Sequence, residues 1–339
     1  MKTMNALKTV LATATLVSTL SAQAADTTLP PWLDVSGNIS FDGTSRKTDS
    51  GDWDKDFRVQ DAELRFEILA REGMKLVIKA ELERVLNRYI NDEDLDTKLG
   101  EMLEEAYIQI ETDKVLGLPR AVITLGKHRM AFGQRIAELP MFKDSLLYKL
   151  NNEEEMIGFT VALPASFFKI ADEVAFSLYE TGAGDMKISK DKAVSVQLSK
   201  QLTNQIKMQI SALMKQHEGK ENETRGSLGF VYTSADGKYK VWAEGIVMEH
   251  NPEFLDSRYG ATLGAAMKLG KGAIVVEGSV LEKVAKEIAL AYNLPVGSHL
   301  VLSPEVRYVM KEDGTRDTVL GIRARIAFGK QNARVAKPH

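Results

Sequence analysis

Apolar residues recur at every second position along this 339-residue chain, in one short segment after another, and few folds satisfy such a pattern. Leu33, Val35, Gly37, Ile39 and Phe41 alternate with Asp34, Ser36, Asn38 and Ser40. Ala62, Leu64, Phe66 and Ile68 alternate with Glu63, Arg65 and Glu67, and Leu320, Ile322, Ala324, Ile326 and Phe328 with Gly321, Arg323 and Arg325. Period two sends successive side chains to opposite faces of a strand. Sixteen such segments are legible, at about 33–42, 58–71, 75–85, 104–112, 121–129, 156–163, 173–181, 194–202, 205–215, 226–234, 238–248, 258–269, 273–282, 288–294, 299–309 and 318–328.

The connections between them alternate in length. After even-numbered segments they are mostly brief, as at Glu72-Gly73-Met74, Thr203-Asn204, Ala235-Asp236-Gly237 and Gly270-Lys271-Gly272. After odd-numbered segments they are mostly longer and more polar: 43–57, 86–103, 130–155, 182–193, 216–225, 249–257 and 310–317. Leu95, Leu99, Met102 and Ala106 are helically spaced and predict a short surface helix before the fourth strand.

Alternation alone does not say which face is dry. In a soluble sandwich or lectin-like protein the apolar face is the core. In a transmembrane barrel the apolar face meets lipid and the charged face lines the interior. Strand lengths near the ~9–11 residues of a tilted bilayer span, the long and short connections, and a last strand ending on Phe328 predict an all-β transmembrane antiparallel barrel of about sixteen strands. Short turns would face the periplasm and longer loops the outside. Trp32, Phe41, Tyr239, Tyr259, Tyr292, Tyr308 and Phe328, near strand ends, are candidates for interfacial girdles, although aromatics make up only 7% of the chain.

The N-terminus agrees with that address. Lys2 and Lys8, the mostly apolar run Val10 to Leu20, and Ala22-Gln23-Ala24 read as a secretory signal over residues 1–24. The domain expectation is therefore a signal at 1–24, a barrel at 25–328 and a C-terminal tail at 329–339. Without the signal, 42 basic residues stand against 47 acidic ones, a net charge of −5 that argues against nucleic acid as a partner. With no cysteine, the chain is stabilised by neither disulfides nor metal thiolates.

Function is sought where the period changes. Residues 121–129 alternate as a strand, and after Phe132-Gly133 the residues Leu139, Phe142, Leu146 and Leu150 recur at helical spacing. This longest loop carries Arg135, Glu138, Lys143 and Asp144, with Arg129 at its root. Folded into a wide barrel, its apolar residues would pack on the wall and its charges would face the constriction, where charge sets ion preference. Folded outward, the same charges would simply be solvated. On the charged face, Arg65, Arg307, Arg323 and Arg325 lie on strands that become neighbours when the barrel closes, with Glu67 and Glu305 among them. They form either a basic ladder or a salt-bridged wall.

Other motifs are weaker. Asp92, Asp94 and Asp96 have the spacing that opens a calcium loop, but Thr97 and Leu103 occupy the positions of its glycine and its bidentate glutamate. None of the five histidines stands in a metal-ligand or hydrolase motif. The sequence calls for no cofactor and no catalytic residue; a plugged adhesive barrel and a barrel or secreted hydrolase are the competing readings.

The segment 104–150 resembles the phosphate-selective porin O and P family. Ala106-Tyr107, Gly126-Lys127 and Phe132-Gly133 carry the likeness; Ala131 departs from it where that family has proline, and the residues after Phe328 depart from its aromatic terminus. The resemblance implies a sixteen-stranded, usually homotrimeric channel in the bacterial outer membrane. Its outer wall would contact lipid and lipopolysaccharide, and its lumen would pass small hydrophilic solutes or ions.

Overall fold

The computed structural model describes residues 29–49, 51–91, 102–134, 146, 156–164, 171–181, 191–216, 221–251 and 257–329. Its sixteen strands, in chain order, are β1 (Leu33–Thr48), β2 (Trp53–Arg71), β3 (Met74–Glu81), β4 (Leu103–Glu111), β5 (Val122–His128), β6 (Met156–Pro164), β7 (Glu173–Thr181), β8 (Asp191–Gln201), β9 (Ile206–Gln216), β10 (Glu223–Thr233), β11 (Tyr239–Glu249), β12 (Tyr259–Leu269), β13 (Gly272–Leu281), β14 (Ala285–Val296), β15 (Leu300–Lys311) and β16 (Arg316–Phe328). Each pairs antiparallel with its neighbours in the chain, and β1 pairs with β16 from Gly37–Phe328 to Thr48–Asp317 to close the barrel. A second sheet to make a sandwich is therefore not needed: closure itself removes the free edges.

Burial identifies the faces. Leu178, Ile210, Leu263, Ile288, Leu290 and Ile322 are exposed, while Ser177, Gln197, Ser211, Glu244 and Glu277, on the opposite parity, are buried. Apolar outside and polar inside inverts the soluble pattern and is what a wall between lipid and an aqueous interior requires.

The hairpin β1–β2 is longer than its sequence suggests. Instead of a loop over 43–57, pairing continues to Lys47–Trp53, leaving a turn at residues 49–52. The expected loop at 310–317 likewise shrinks to residues 312–315. Both stretches, G-T-S-R-K-T and W-D-K-D-F in the first case, are polar on most positions. Backbone pairing continues there without a dry face, so the hydrophobic period that reveals a strand fades before the strand ends. A bulge at Gln60 also shifts the parity of β2, so Phe57 and Val59 point outward with Ala62 and Leu64.

Helix α1 (Glu83–Asn91) follows β3. It packs on the outer face through Leu86, which joins Leu82 against Ile39, Phe41, Val59, Ala62 and Phe328. The Asn87 amide accepts from Val59 N (2.9 Å) and donates to Val59 O (2.7 Å), capping β2 beyond the end of β3. The expected helix lay later. Residues 92–101 are outside the described residues, and Ala106 belongs to β4. Of the girdle candidates, Trp32, Tyr239, Tyr259 and Tyr308 are exposed, whereas Phe41 and Phe328 are buried. Phe41 stacks on Phe57 at 6.3 Å, and the Phe328 ring lies over Gly37, where a Cβ would meet it at 2.6 Å. A second helix, α2 (Thr112–Val115), turns the chain from β4 to β5.

Candidate functional site

The interior has two kinds of wall. On β1–β4, β15 and β16 it is charged and ion-paired. Arg65 bonds Glu67 and Glu105, both at 3.0 Å, and donates to Tyr107 Oη at 3.1 Å. Glu67 also takes Lys75 at 3.4 Å. Lys79, nearly buried, bridges Glu63 (2.7 Å) and Glu104 (2.6 Å), and Arg129 reaches Glu104 at 2.7 Å. Across the closing seam, Arg323 holds Asp42 through two bonds of 2.7 and 2.8 Å. Arg307 pairs with Glu305 at 3.2 Å. Arg325, opposite Ser40 and Val301, is exposed.

The predicted arginines thus do not form one ladder. Arg65 stands opposite Ser36 and Arg323 opposite Asp42, six residues apart along β1. Each is turned toward its own carboxylate. Arg135, Glu138, Lys143 and Asp144, and the acidic run 92–96, lie outside the described residues.

In the middle of β6–β9 the inner wall is neutral, with Thr160, Ser177, Ser195, Gln197, Gln209 and Ser211, and Glu173, Lys207 and Lys215 share that face only towards the strand ends. Residues 130–134, which leave β5, lie against it. Met130 and Phe132 pack with Met156, Tyr179, Ala193 and Leu213. Gly133 N donates to Ser211 Oγ (3.0 Å), and Gly133 O accepts from Gln197 Nε2 (2.9 Å) and Gln209 Nε2 (2.6 Å). Gln134 then crosses to β11, where its N donates to Glu244 Oε1 (3.1 Å) and its amide to Ala243 O (3.1 Å). Opposite, Gly229 leaves the space that Gln134 fills; a Cβ there would overlap it. Leu146 is buried with Ile246, Met248, Leu281 and Ala285 on the inner faces of β11, β13 and β14.

A buried polar network fixes the root of this segment. His128 Nδ1 faces Gly126 O at 2.9 Å; a carbonyl only accepts, so that nitrogen carries the proton. Nε2 lies 2.8 Å from Thr160 Oγ1 and 3.1 Å from Tyr179 Oη, and Tyr179 Oη donates to Arg129 O at 3.2 Å.

Sequence reading passed over Lys79, Glu104, Asp42, Glu244 and the His128–Tyr179 pair. Lys79 and Glu244 sit on the charged parity of legible strands and could have been found from parity. Glu104 lies at a bulge, and Asp42 draws its importance from a partner far away in the chain. Among the described residues no cluster of His, Asp or Glu could hold a metal ion.

No family model matches this sequence, and no curated protein does. Solved structures do. The OmpF of Salmonella typhi in complex with daunomycin aligns over 87% of this chain and 97% of its own, at 11% identity and a TM-score of 0.62. An anion-selective porin from Comamonas acidovorans covers 87% and 99% at 11% identity and 0.61. OprB of Pseudomonas putida covers 87% and 94% at 11% identity and 0.61. The chain has the porin fold. At such identities the likeness extends to the barrel and not to what each porin carries.

Proposed function

We propose that this protein is a porin of the bacterial outer membrane, a diffusion channel for small hydrophilic solutes or ions. Loop 130–155 turns inward and narrows the lumen. The reading is carried by one observation: residues 130–134 leave β5 and spend their hydrogen bonds on inward side chains of β8, β9 and β11. A segment anchored across the interior takes up part of its cross-section. The seat of Leu146 on the far wall supports the same course for the middle of the loop. Arg135, Glu138, Lys143 and Asp144 are then the constriction charges, facing Arg65, Glu67, Arg129, Arg307, Arg323 and Arg325 across the lumen.

In this reading residues 1–24 direct export, residues 329–339 form a periplasmic tail, and the assembly is a homotrimer. The strand-to-loop junction resembles that of the phosphate-selective porin O and P family, and no substrate is carried over from it. The channel works without catalysis or cofactor. Its wall charges bias which solutes enter, because the field of a charged ring acts over the width of a constriction.

The test is conductance of the purified protein in a planar bilayer. Stepwise channels are expected, and removing residues 135–145 should raise the single-channel conductance. Absence of current above background overturns the channel; an unchanged conductance in the deletion overturns the inward loop alone.

A further inference from the structure

Closure gives every strand two neighbours, but β2 outruns one of them. β3 covers it only as far as the pair Glu63–Glu81, whereas β1 follows it to the pair Lys47–Trp53. On the side that β3 leaves, Ala62 O accepts from Leu82 N at 2.7 Å, and the Asn87 amide takes both Val59 N and Val59 O. In an antiparallel ladder successive residues direct N–H and C=O alternately to one neighbour and to the other. The register runs unbroken from Phe41–Val59 to Lys47–Trp53. Phe57, Lys55 and Trp53 therefore turn their N–H and C=O groups to the same side as Val59. Among the described residues nothing meets those groups, and residues 51–58 are exposed throughout. This stretch of β2 is a free strand edge, which is a template for pairing with another chain.

The side chains along the edge define what fits beside it. Trp53 and Phe57 stand on the outward face, 43% and 39% exposed, with Lys55 between them. Asp54 and Asp56 stand on the inward face, opposite Arg46 and Thr44 of β1, and among the described residues neither is held in an ion pair. An added strand sets its own residues beside these at cross-strand distance, where apolar groups pack and opposite charges attract. Its outward residues meet two aromatic rings, and its inward residues meet two carboxylates. A second copy of the edge is a poor match. Antiparallel self-pairing centred on residue 54, 55 or 56 sets Asp54, Lys55 or Asp56 opposite itself, and like charges directly opposite are destabilising.

We propose that the open edge of β2, from Trp53 to Phe57, captures an extended peptide segment of another protein in which apolar and basic residues alternate. Main-chain hydrogen bonds hold such a segment, and its alternate side chains select it. The inference takes from the porin reading only that this rim faces the outside of the cell.

The probe is a fluorophore-labelled heptapeptide of alternating valine and lysine, titrated by fluorescence anisotropy against the protein in neutral detergent. Lys55→Pro removes the central N–H of the edge and spares the bonds to β1, which residue 55 does not make. Lys55→Gln removes the charge and keeps the N–H. The parent and Lys55→Gln should both bind the probe, and Lys55→Pro should bind it at least about tenfold more weakly, since a lost main-chain bond also leaves its partner unpaired. The parent should fail to bind a fully N-methylated probe, which keeps the side chains without the donors, and a probe with glutamate in place of lysine. Equal binding by parent and Lys55→Pro overturns the proposal, and so does equal binding of either altered probe. The N-methylated comparison uses the parent alone and stands even where proline disturbs the fold. Single-channel currents are recorded from the same preparations. Channels without selective probe binding sink the edge site alone, whereas probe binding by a silent protein sinks the channel alone.

Discussion

The wall formed by β1–β4, β15 and β16 and the wall formed by β6–β9 have the same backbone and the same pleat, yet they carry opposite chemistry. The first holds Arg65, Lys79, Arg307 and Arg323, each against a carboxylate. The second holds serine, threonine and glutamine, and its neutral donors and acceptors are used by Gly133. The difference follows from what each wall faces. The charges of the first wall are largely buried, and each has its lost solvation replaced by an oppositely charged partner within 3.2 Å. A charge beneath a packed backbone segment would lose that solvation with nothing to replace it. A neutral amide or hydroxyl suits the second site because it can meet a peptide group with one bond of ordinary strength.

The largest effect should come from putting a charge on the wrong wall. Ser211 is buried, and its Oγ accepts from Gly133 N. We expect Ser211→Glu to cost about 3–5 kcal/mol or to prevent refolding, as an uncompensated buried charge does. Ser303→Glu, on the charged wall opposite Arg323, should change stability by less than about 1 kcal/mol. Urea unfolding in detergent measures both, and equal losses would break the contrast between the walls.

A smaller effect is expected from glycines. At Gly229 an added Cβ would overlap the Gln134 amide, whereas at Gly321 it would lie 3.1 Å from Cγ of Glu305, the middle of a flexible side chain. Gly229→Ala should cost about 1–3 kcal/mol and make the channel current noisier by loosening Gln134. Gly321→Ala should leave the current trace unchanged. Similar traces for the two would mean that the anchor at Gln134 has no influence on the pore.

Smaller still is the effect of single wall charges on ion preference. Arg325 is exposed, while Arg323 and Asp42 neutralise each other. A unit charge about 10 Å from a passing ion in water contributes about 0.4 kcal/mol, or about twofold in a permeability ratio. Arg325→Gln should shift the zero-current potential in a salt gradient toward cations by that ratio. Replacing Arg323 by Gln together with Asp42 by Asn should shift it less, and the reverse order would show that the pair is not neutral as seen from the lumen.

Least of all should come from the turn at Asp236, away from both walls. Hydrogen bonds from Ser234 Oγ and from Lys238 N hold its carboxyl below its ordinary value of 3.8. A carboxyl depressed in the folded state contributes stability above its unfolded pKa and loses it as pH falls through the folded one. The stability difference between parent and Asp236→Ala should therefore be small and constant at neutral pH and vanish in acid. A difference that grows below pH 4 would contradict this.

Much of the barrel was legible in the sequence. All sixteen strands were found, and the short β6 and the longer β14 were found despite weak patterns. The misses share a physical cause. Pairing at 43–48 with 53–57 joins stretches that are polar at most positions, so no hydrophobic period marks it. The helix before β4 was assigned to leucines at 95 and 99, whereas α1 uses Leu86 and Asn87 to cover the outer face and to cap Val59. Of the candidate site, parity placed Arg65, Glu67, Arg307, Arg323 and Arg325 on one face of their strands. It could not say that Arg323 would spend its guanidinium on Asp42, 281 residues away in the chain.

By itself, then, the amino-acid sequence determined the number of strands, their two faces and the place where the period breaks, because alternation is a local property of neighbouring residues. Only the tertiary structure decided which charges neutralise one another and where Gly133 and Gln134 come to rest. Closing the sheet brings β16 against β1 and carries the segment after β5 to β8, β9 and β11, and those meetings depend on register around the whole barrel.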